Sequence, residues 1–310
     1  MRERVWSWPL AIYLFLGGLG AGMTIVTAVC DLLFEQGELF GLCPLIAACA
    51  LALGCAFLLF ELGVTKAFWR VFTWHGAVLN FGAYSLGLLI ALDVVYFSFF
   101  TGWFPWCGSL MGRWIFAAIS LIVALCVIVY TGVELSSMKG RSFWNTPALP
   151  VLFTVSGLLT GIAANSLVLG LWPYAGPAEA IEPMRANLSY VGILFAFLTL
   201  LCLITYVLMM KTSSETYAQV PADRLISGSY SRVFWLGLVI IGLVVPLVLY
   251  ALGMSEIALV FIADLCVLIG GMCLRALFVF SDDRRMLPGE EDYYDLLATG
   301  DEPFMKTNWT

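Results

Sequence analysis

Charge is what this sequence has least of. Among 310 residues only 12% are Asp, Glu, Lys or Arg, while 62% are hydrophobic and the mean hydropathy is +0.96. A soluble domain keeps roughly 25% charged residues to dress its surface, so lipid must cover most of this chain. Histidine is nearly absent, with His75 alone. A b-type haem held between helices needs paired axial His ligands, so a bis-His haem cannot be built. Paired cysteines are missing too. The nine Cys are scattered, none at C-x-x-C spacing, and most lie in apolar runs where a free Cys acts as a small hydrophobe. No iron–sulfur cluster, zinc site or disulfide framework is expected of this chain. No cleavable signal peptide is expected either, since the apolar stretch from Pro9 to Phe34 is too long for an h-region and has no clear cleavage site.

What is present is long apolar runs. A helix needs about 20 mostly apolar residues to cross the hydrocarbon, and eight segments qualify: 9–34, 43–62, 74–99, 113–137, 149–171, 188–210, 233–252 and 256–281. The fold class expected is all-α integral membrane, with both termini on one side. The first segment carries Leu14-Phe15, Gly18 and Gly22; the fifth carries Leu152-Phe153, Gly157 and Gly161. Both offer a G-x-x-x-G face and run in the same direction. The repeat predicts two four-helix bundles, 1–148 and 149–281, followed by a polar tail, 282–310. That tail holds eight acids and three bases and supplies most of the net charge of −6; with Tyr293, Tyr294 and Trp309 it reads as a strap on a partner.

The bases mark one end. Arg113 and Arg185 belong to the other end, and the remaining bases, among them Lys66, Arg70, Lys139, Arg141 and Arg275, belong to the end of the N-terminus and the 2–3, 4–5 and 6–7 connections. The base-poor end is aromatic (Trp103, Phe104, Trp106, Trp172, Tyr174), as suits a headgroup belt.

Polar groups inside a membrane are costly and therefore informative. At the basic end, Tyr13, Glu61, His75, Tyr130 and Glu134 come from the first four helices; Tyr130 and Glu134 are four apart and share a face. Carboxylates, an imidazole and phenols near an interface are what quinone chemistry requires, because ring oxygens must be hydrogen-bonded and protons must move with electrons. Each residue also has a structural reading: Tyr13 and Trp8 as interfacial anchors, Glu61 and Glu134 reaching water or a base, His75 as a helix cap. In the second half, Asp264 and Arg275 lie eleven residues apart, about 16 Å along one helical face. With Asn165, Thr160 and Ser156 they suit either a proton path or a structural hydrogen-bond network. Asp31, Asp93 and Arg113 close the base-poor end of the first bundle as surface or ion-pair groups.

Several motifs resemble one family. The first helix reads Tyr13 to Gly22 as YLFLGGLGAG. The second ends Phe60-Glu61-Leu62-Gly63, followed by Ala67-Phe68-Trp69-Arg70. The fourth runs Val129-Tyr130-Thr131-Gly132-Val133-Glu134-Leu135, then Lys139-Gly140 and Phe143-Trp144-Asn145-Thr146-Pro147, and the fifth continues Leu149-Pro150 to Gly161. In order and spacing this resembles the polysulfide reductase / NrfD family of membrane subunits. The first five helices carry the resemblance; the last three share hydropathy and Arg275.

The resemblance implies two four-helix bundles, no haem, and a menaquinone site at one end of the first bundle. It further implies an iron–sulfur (ferredoxin-like) subunit there, which exchanges electrons with a molybdopterin catalytic subunit; lipid is the other partner, and no nucleic acid is expected. It assigns roles to the tyrosine and acid matching Tyr130 and Glu61. Glu stands where the family often has Asp, and the first helix lacks the family's Asn and His, offering Trp6, Trp8 and Tyr13, with His75 as the available imidazole. On this reading Glu61 and His75 exchange protons, Tyr13, Trp8, Tyr130, Glu134 and Arg70 meet the quinone, and Arg70 and Lys139 help dock the iron–sulfur subunit. The positive-inside rule makes the basic end cytoplasmic, whereas the family places its quinone end outward; since several bases belong to the family motifs, the outward orientation in the cell (inner) membrane is expected. Two rivals stay open. A passive anchor would hold catalytic subunits without touching quinone. A secondary transporter would take substrate between the bundles, though the parallel repeat and the lack of a clearly broken helix weigh against it.

Overall fold

The computed structural model describes residues 8–61, 78–174, 178–213, 216–253 and 256–281. Along the chain run α1 (Trp8–Phe34), a 3-10 turn (Gly37–Phe40), α2 (Cys43–Glu61), α3 (Val78–Ser98), α4 (Leu110–Ser136), α5 (Ala148–Leu171), α6 (Ala178–Lys211), α7 (Thr216–Ile226), α8 and α9 (Ile257–Ser281). Helix α8 is a π-helix over Val233–Val244 and an α-helix over Val245–Leu252. Eight of these elements are long and apolar enough to span a membrane, and the protein is a multi-pass membrane protein. The short α7 is the exception: it is polar, lies across the basic end, and is held there by Arg224, whose Nη1 donates to the Ser281 carbonyl at 3.4 Å. Its sequence has too many polar residues to register as a span, and no element was expected there.

Bounds follow local chemistry. Helix α1 stops where Glu35 takes a left-handed φ of 56° and the Gln36 N–H reaches back to the Cys30 carbonyl, satisfying an otherwise open acceptor. The Ser109 hydroxyl accepts from the Gly112 N–H and starts α4. Helix α6 begins ten residues before the apolar run expected at 188. Its first turns, with Glu179, Glu182, Pro183 and Arg185, are too polar to score as apolar, yet Met184 and Arg185 are buried there. The π stretch of α8 sits just before Pro246, a residue that cannot donate to the preceding turn.

Packing centres on α1, which lies against α2, α4 and α5 and touches α9. Its crossing with α5 is made by glycines: a Cβ at Gly22 would fall 3.1 Å from the Gly161 Cα, and one at Gly157 would meet the Gly18 carbonyl at 3.3 Å. The two G-x-x-x-G faces of the internal repeat therefore pack on each other. Gly242 and Gly270 give α8 and α9 a similar approach. Spans α1–α4 pack around one another, as do α5, α6, α8 and α9. The connection after α4 is pinned beneath the second set: the Trp144 indole N–H donates to the Phe278 carbonyl at 2.8 Å, and the Tyr206 hydroxyl to the Phe143 carbonyl.

Candidate functional site

At the basic end of the first four spans, α1 and α4 bring two sequence-predicted residues into contact. Tyr13, one turn and a half into α1, donates from its hydroxyl to Glu134 Oε2 at 3.2 Å. Both side chains are buried, at 1% and 8% exposure. Tyr130 lies one turn before Glu134 on α4 and is also buried. Its ring packs near Phe81, centroids 6.4 Å apart, and lies on Gly82 of α3, where any Cβ would collide with it. Only glycine leaves the phenol this place. The Tyr130 hydroxyl makes no closed hydrogen bond among the described residues, although Tyr13, Glu134 and Cys55 of α2 are its neighbours. Asn80, in the first turn of α3, is a further buried amide at this end whose Nδ2 has no hydrogen-bond partner among the described residues.

The other residues expected here divide. Trp8 is half-exposed and packs edge-on against Phe280 of α9, centroids 4.8 Å apart, so it leans toward the second set of spans rather than toward Tyr13's partners. The side chain of Glu61, and His75, Arg70, Lys66 and Trp6, lie outside the described residues. Lys139 is exposed and borders a groove of about 600 Å³ together with Asn145, Thr146, Met210 and Thr212, again at the basic end. Among the described residues no three His, Cys, Asp or Glu side chains gather as a metal site.

The residues proposed for a proton path in the second half are each engaged separately. Arg275 is buried; it donates to Ser156 Oγ at 2.9 Å and to the Phe153 carbonyl at 3.0 Å, with its guanidinium 3.8 Å from the Phe153 ring centre. Asp264 accepts from the Tyr250 hydroxyl. Asn165 donates to the Met23 carbonyl at 3.0 Å and accepts from Thr27 Oγ1 at 3.2 Å, tying α5 to α1. Thr160 returns its hydroxyl to the Gly157 carbonyl. The gap between Ser156, Thr160 and Gly271 is about 10 Å³, room for one water at most. Among the described residues each of the three is held by its own partners.

The base-poor end of the first four spans is more polar inside than the sequence suggested. Asp31, fully buried, accepts from the Tyr96 hydroxyl at 2.8 Å and pairs with Arg113 at 3.0 Å; Arg113 also reaches the exposed Glu38 at 3.6 Å. The ion-pair reading of Asp31 and Arg113 therefore holds, and the surface reading does not. Asp93, also fully buried, accepts from Thr24 Oγ1 at 2.8 Å. It was expected at the rim, because counting from a helix end says how deep a residue lies but not which way it faces.

The comparisons with known proteins agree with this architecture. A polysulfide reductase component of Wolinella succinogenes is 30% identical over 271 residues, 79% of this chain and 82% of that protein. Protein NrfD of Escherichia coli is 27% identical over 269 residues, 79% of this chain and 84% of its own length. A selenate reductase subunit of Mesobacillus selenatarsenatis is 24% identical over 150 residues, covering 48% of this chain and 34% of that subunit. The family described as polysulphide reductase, NrfD, matches residues 1–281, and with its eight membrane-spanning helices the chain belongs to that family.

Proposed function

We propose that this chain is the quinone-interacting membrane subunit of an oxidoreductase complex. It would pass electrons between the menaquinone pool and an iron–sulfur subunit of a molybdopterin enzyme. The observation that carries the reading is the Tyr13–Glu134 contact beside the Tyr130 phenol, all buried at the basic end. A quinone oxygen seated there would accept a hydrogen bond from the phenol, and Glu134 would exchange the accompanying proton through Tyr13 or directly. Aromatic rings such as Phe81 suit the faces of a quinone ring. Glu61 and His75 are proposed as further proton-exchanging groups, Trp8 and Arg70 as quinone contacts, and Asp264, Arg275 and Asn165 as a proton path in the second half. Residues 1–148 would form the quinone bundle and 149–281 a second bundle, with the quinone end facing outward beside the iron–sulfur subunit and Lys139 in the docking groove. The relatives named for polysulfide and selenate reductases support an oxidoreductase complex.

The test is quinol-linked turnover of the assembled complex. Tyr130→Phe and Glu134→Gln should each lower it by about 10²-fold, the usual worth of positioned acid–base catalysis, with the complex intact on size exclusion. Full quinol-linked activity in both variants would leave the chain a passive anchor.

A further inference from the structure

The groove bordered by Lys139 at the basic end has no part in the quinone chemistry, yet the motif residues Lys139, Asn145, Thr146 and Pro147 all lie in its lining. We infer that it seats the phosphate of an anionic phospholipid, whose acyl chains run along the outer faces of α5 and α6.

The lining asks for an anion. It has one base, Lys139, five hydroxyl or amide side chains, and no acid. Two further bases border it in sequence: Arg141 precedes Ser142 of the lining, and Lys211 stands between Met210 and Thr212. The acid of α7, Asp223, is 3.8 Å from Lys211, and both side chains are more than half exposed, so that pair neutralises little.

The donors in the groove are open. Lys139 is exposed and has neither an ion pair nor a hydrogen bond among the described residues, and the exposed Asn145 side-chain amide has no hydrogen bond either. Thr146 Oγ1 accepts from the Ala148 N–H at 3.3 Å, which leaves its own proton to donate. Thr212 differs, because its hydroxyl is spent on the Leu208 carbonyl at 2.9 Å. An ammonium, an amide and a hydroxyl with no acceptor of their own are the donor set that the non-bridging oxygens of a phosphate need.

Position makes the anion a lipid. The apolar run of α6 ends at Met210, just before Lys211, and α5 begins just after Pro147. The groove therefore lies where both spans leave the hydrocarbon. Directly inward, Val151 on the first turn of α5 and Leu208 on the last turn of α6 are each more than half exposed, with Ile204 and Met209 beside Leu208. Helices α5 and α6 pack on each other, so these apolar side chains flank one crease. A free phosphate uses none of that surface. A phospholipid uses both parts, with its head in the polar groove and its chains on the apolar walls below. The volume, about 600 Å³, is that of a small-molecule site rather than of a single ion. The inference adds to the docking assigned to Lys139: the head group lies between this groove and the iron–sulfur subunit, and the assembled complex carries it too.

The test needs neither quinone nor turnover, so its outcome is separate from that of the quinone reading. The full chain is released from mixed micelles of phosphatidylglycerol and phosphatidylcholine, and native mass spectrometry counts the lipid it keeps. One phosphatidylglycerol per chain should be retained in preference to phosphatidylcholine. Lys139→Gln should lower that occupancy about 5-fold, the usual worth of one base near a membrane surface, and Asn145→Ala should lower it as well. Arg232→Gln removes an equal charge just before α8, outside the lining, and should leave it unchanged. All three side chains are exposed, so the variants should fold, as size exclusion will check. The inference is overturned if no lipid is kept, if the two lipids are kept equally, or if Lys139→Gln and Arg232→Gln act alike. Displacement by excess inorganic phosphate would make this a soluble-phosphate site and overturn it too. So would loss of the lipid when the complex assembles, which gives the groove to the partner protein.

Discussion

The Asp31–Arg113 pair offers a test whose size follows from where the atoms sit. Asp31 has no exposed surface, and its partners are the Arg113 guanidinium at 3.0 Å and the Tyr96 hydroxyl at 2.8 Å. Replacing Arg113 by Met keeps the stem and removes the cation, which strands a buried carboxylate. Breaking a buried pair in this way costs about 3–5 kcal/mol, so the folding equilibrium constant should fall by roughly 10²-fold or more. Glu38 contributes little to this sum, being more than half exposed and 3.6 Å away. Tyr96→Phe removes one hydrogen bond but leaves the ion pair, and side-chain hydrogen bonds between membrane helices average about 0.6 kcal/mol. Joining Asp31→Asn to Arg113→Met removes both charges together and should recover most of what Arg113→Met loses. Reversible unfolding by dodecyl sulfate in mixed micelles, followed by circular dichroism, measures all four proteins. The reasoning fails if Arg113→Met and Tyr96→Phe are equally destabilising, or if the double variant is less stable than Arg113→Met alone.

Other outcomes follow from close approaches. Gly22→Val should force α1 and α5 apart, since even a Cβ there falls within 3.1 Å of the Gly161 Cα; overpacking of this kind costs about 1–3 kcal/mol and should appear as a lowered melting temperature of the detergent-solubilised chain. Gly82→Ala should push the Tyr130 ring from its seat; a displacement near 1 Å can cost about 10²-fold in rate, so quinol-linked turnover should fall with little loss of stability. Trp144→Phe deletes the indole hydrogen bond to the Phe278 carbonyl and should lower stability by about 1 kcal/mol without touching turnover.

Much of the architecture is legible in the sequence for a simple reason. A bilayer demands long apolar runs whatever the packing, so the eight spans stand out by hydropathy alone. Depth is legible as well: Tyr13, Tyr130 and Glu134 come from one end of their helices, and they do meet. Facing direction is not legible. In lipid the outer surface of a helix is as apolar as the inner one, so periodicity cannot say which side is buried. That is why the packing of Trp8 on Phe280 is not legible, and why Asp93 could be placed at a rim when it is buried inside. Asp264 and Arg275 share one helical face, but spacing on one helix does not reveal that Tyr250 and Ser156 engage them separately. The paired G-x-x-x-G motifs were visible as a repeat; that the two copies are each other's partners needs the third dimension.

Helix α1 touches Glu134 near its start through Tyr13, Asp93 at its centre through Thr24, and Arg113 near its end through Asp31. On its opposite side Gly18, Gly22 and Thr27 meet Gly157, Gly161 and Asn165. One inserted residue anywhere between Tyr13 and Asp31 would turn everything beyond it by about 100° and send these contacts to the wrong neighbours. Substitutions along α1 can be absorbed one at a time, but its length cannot change by a single residue. The helix works as a gauge, fixing the distance from one membrane face to the other in whole turns.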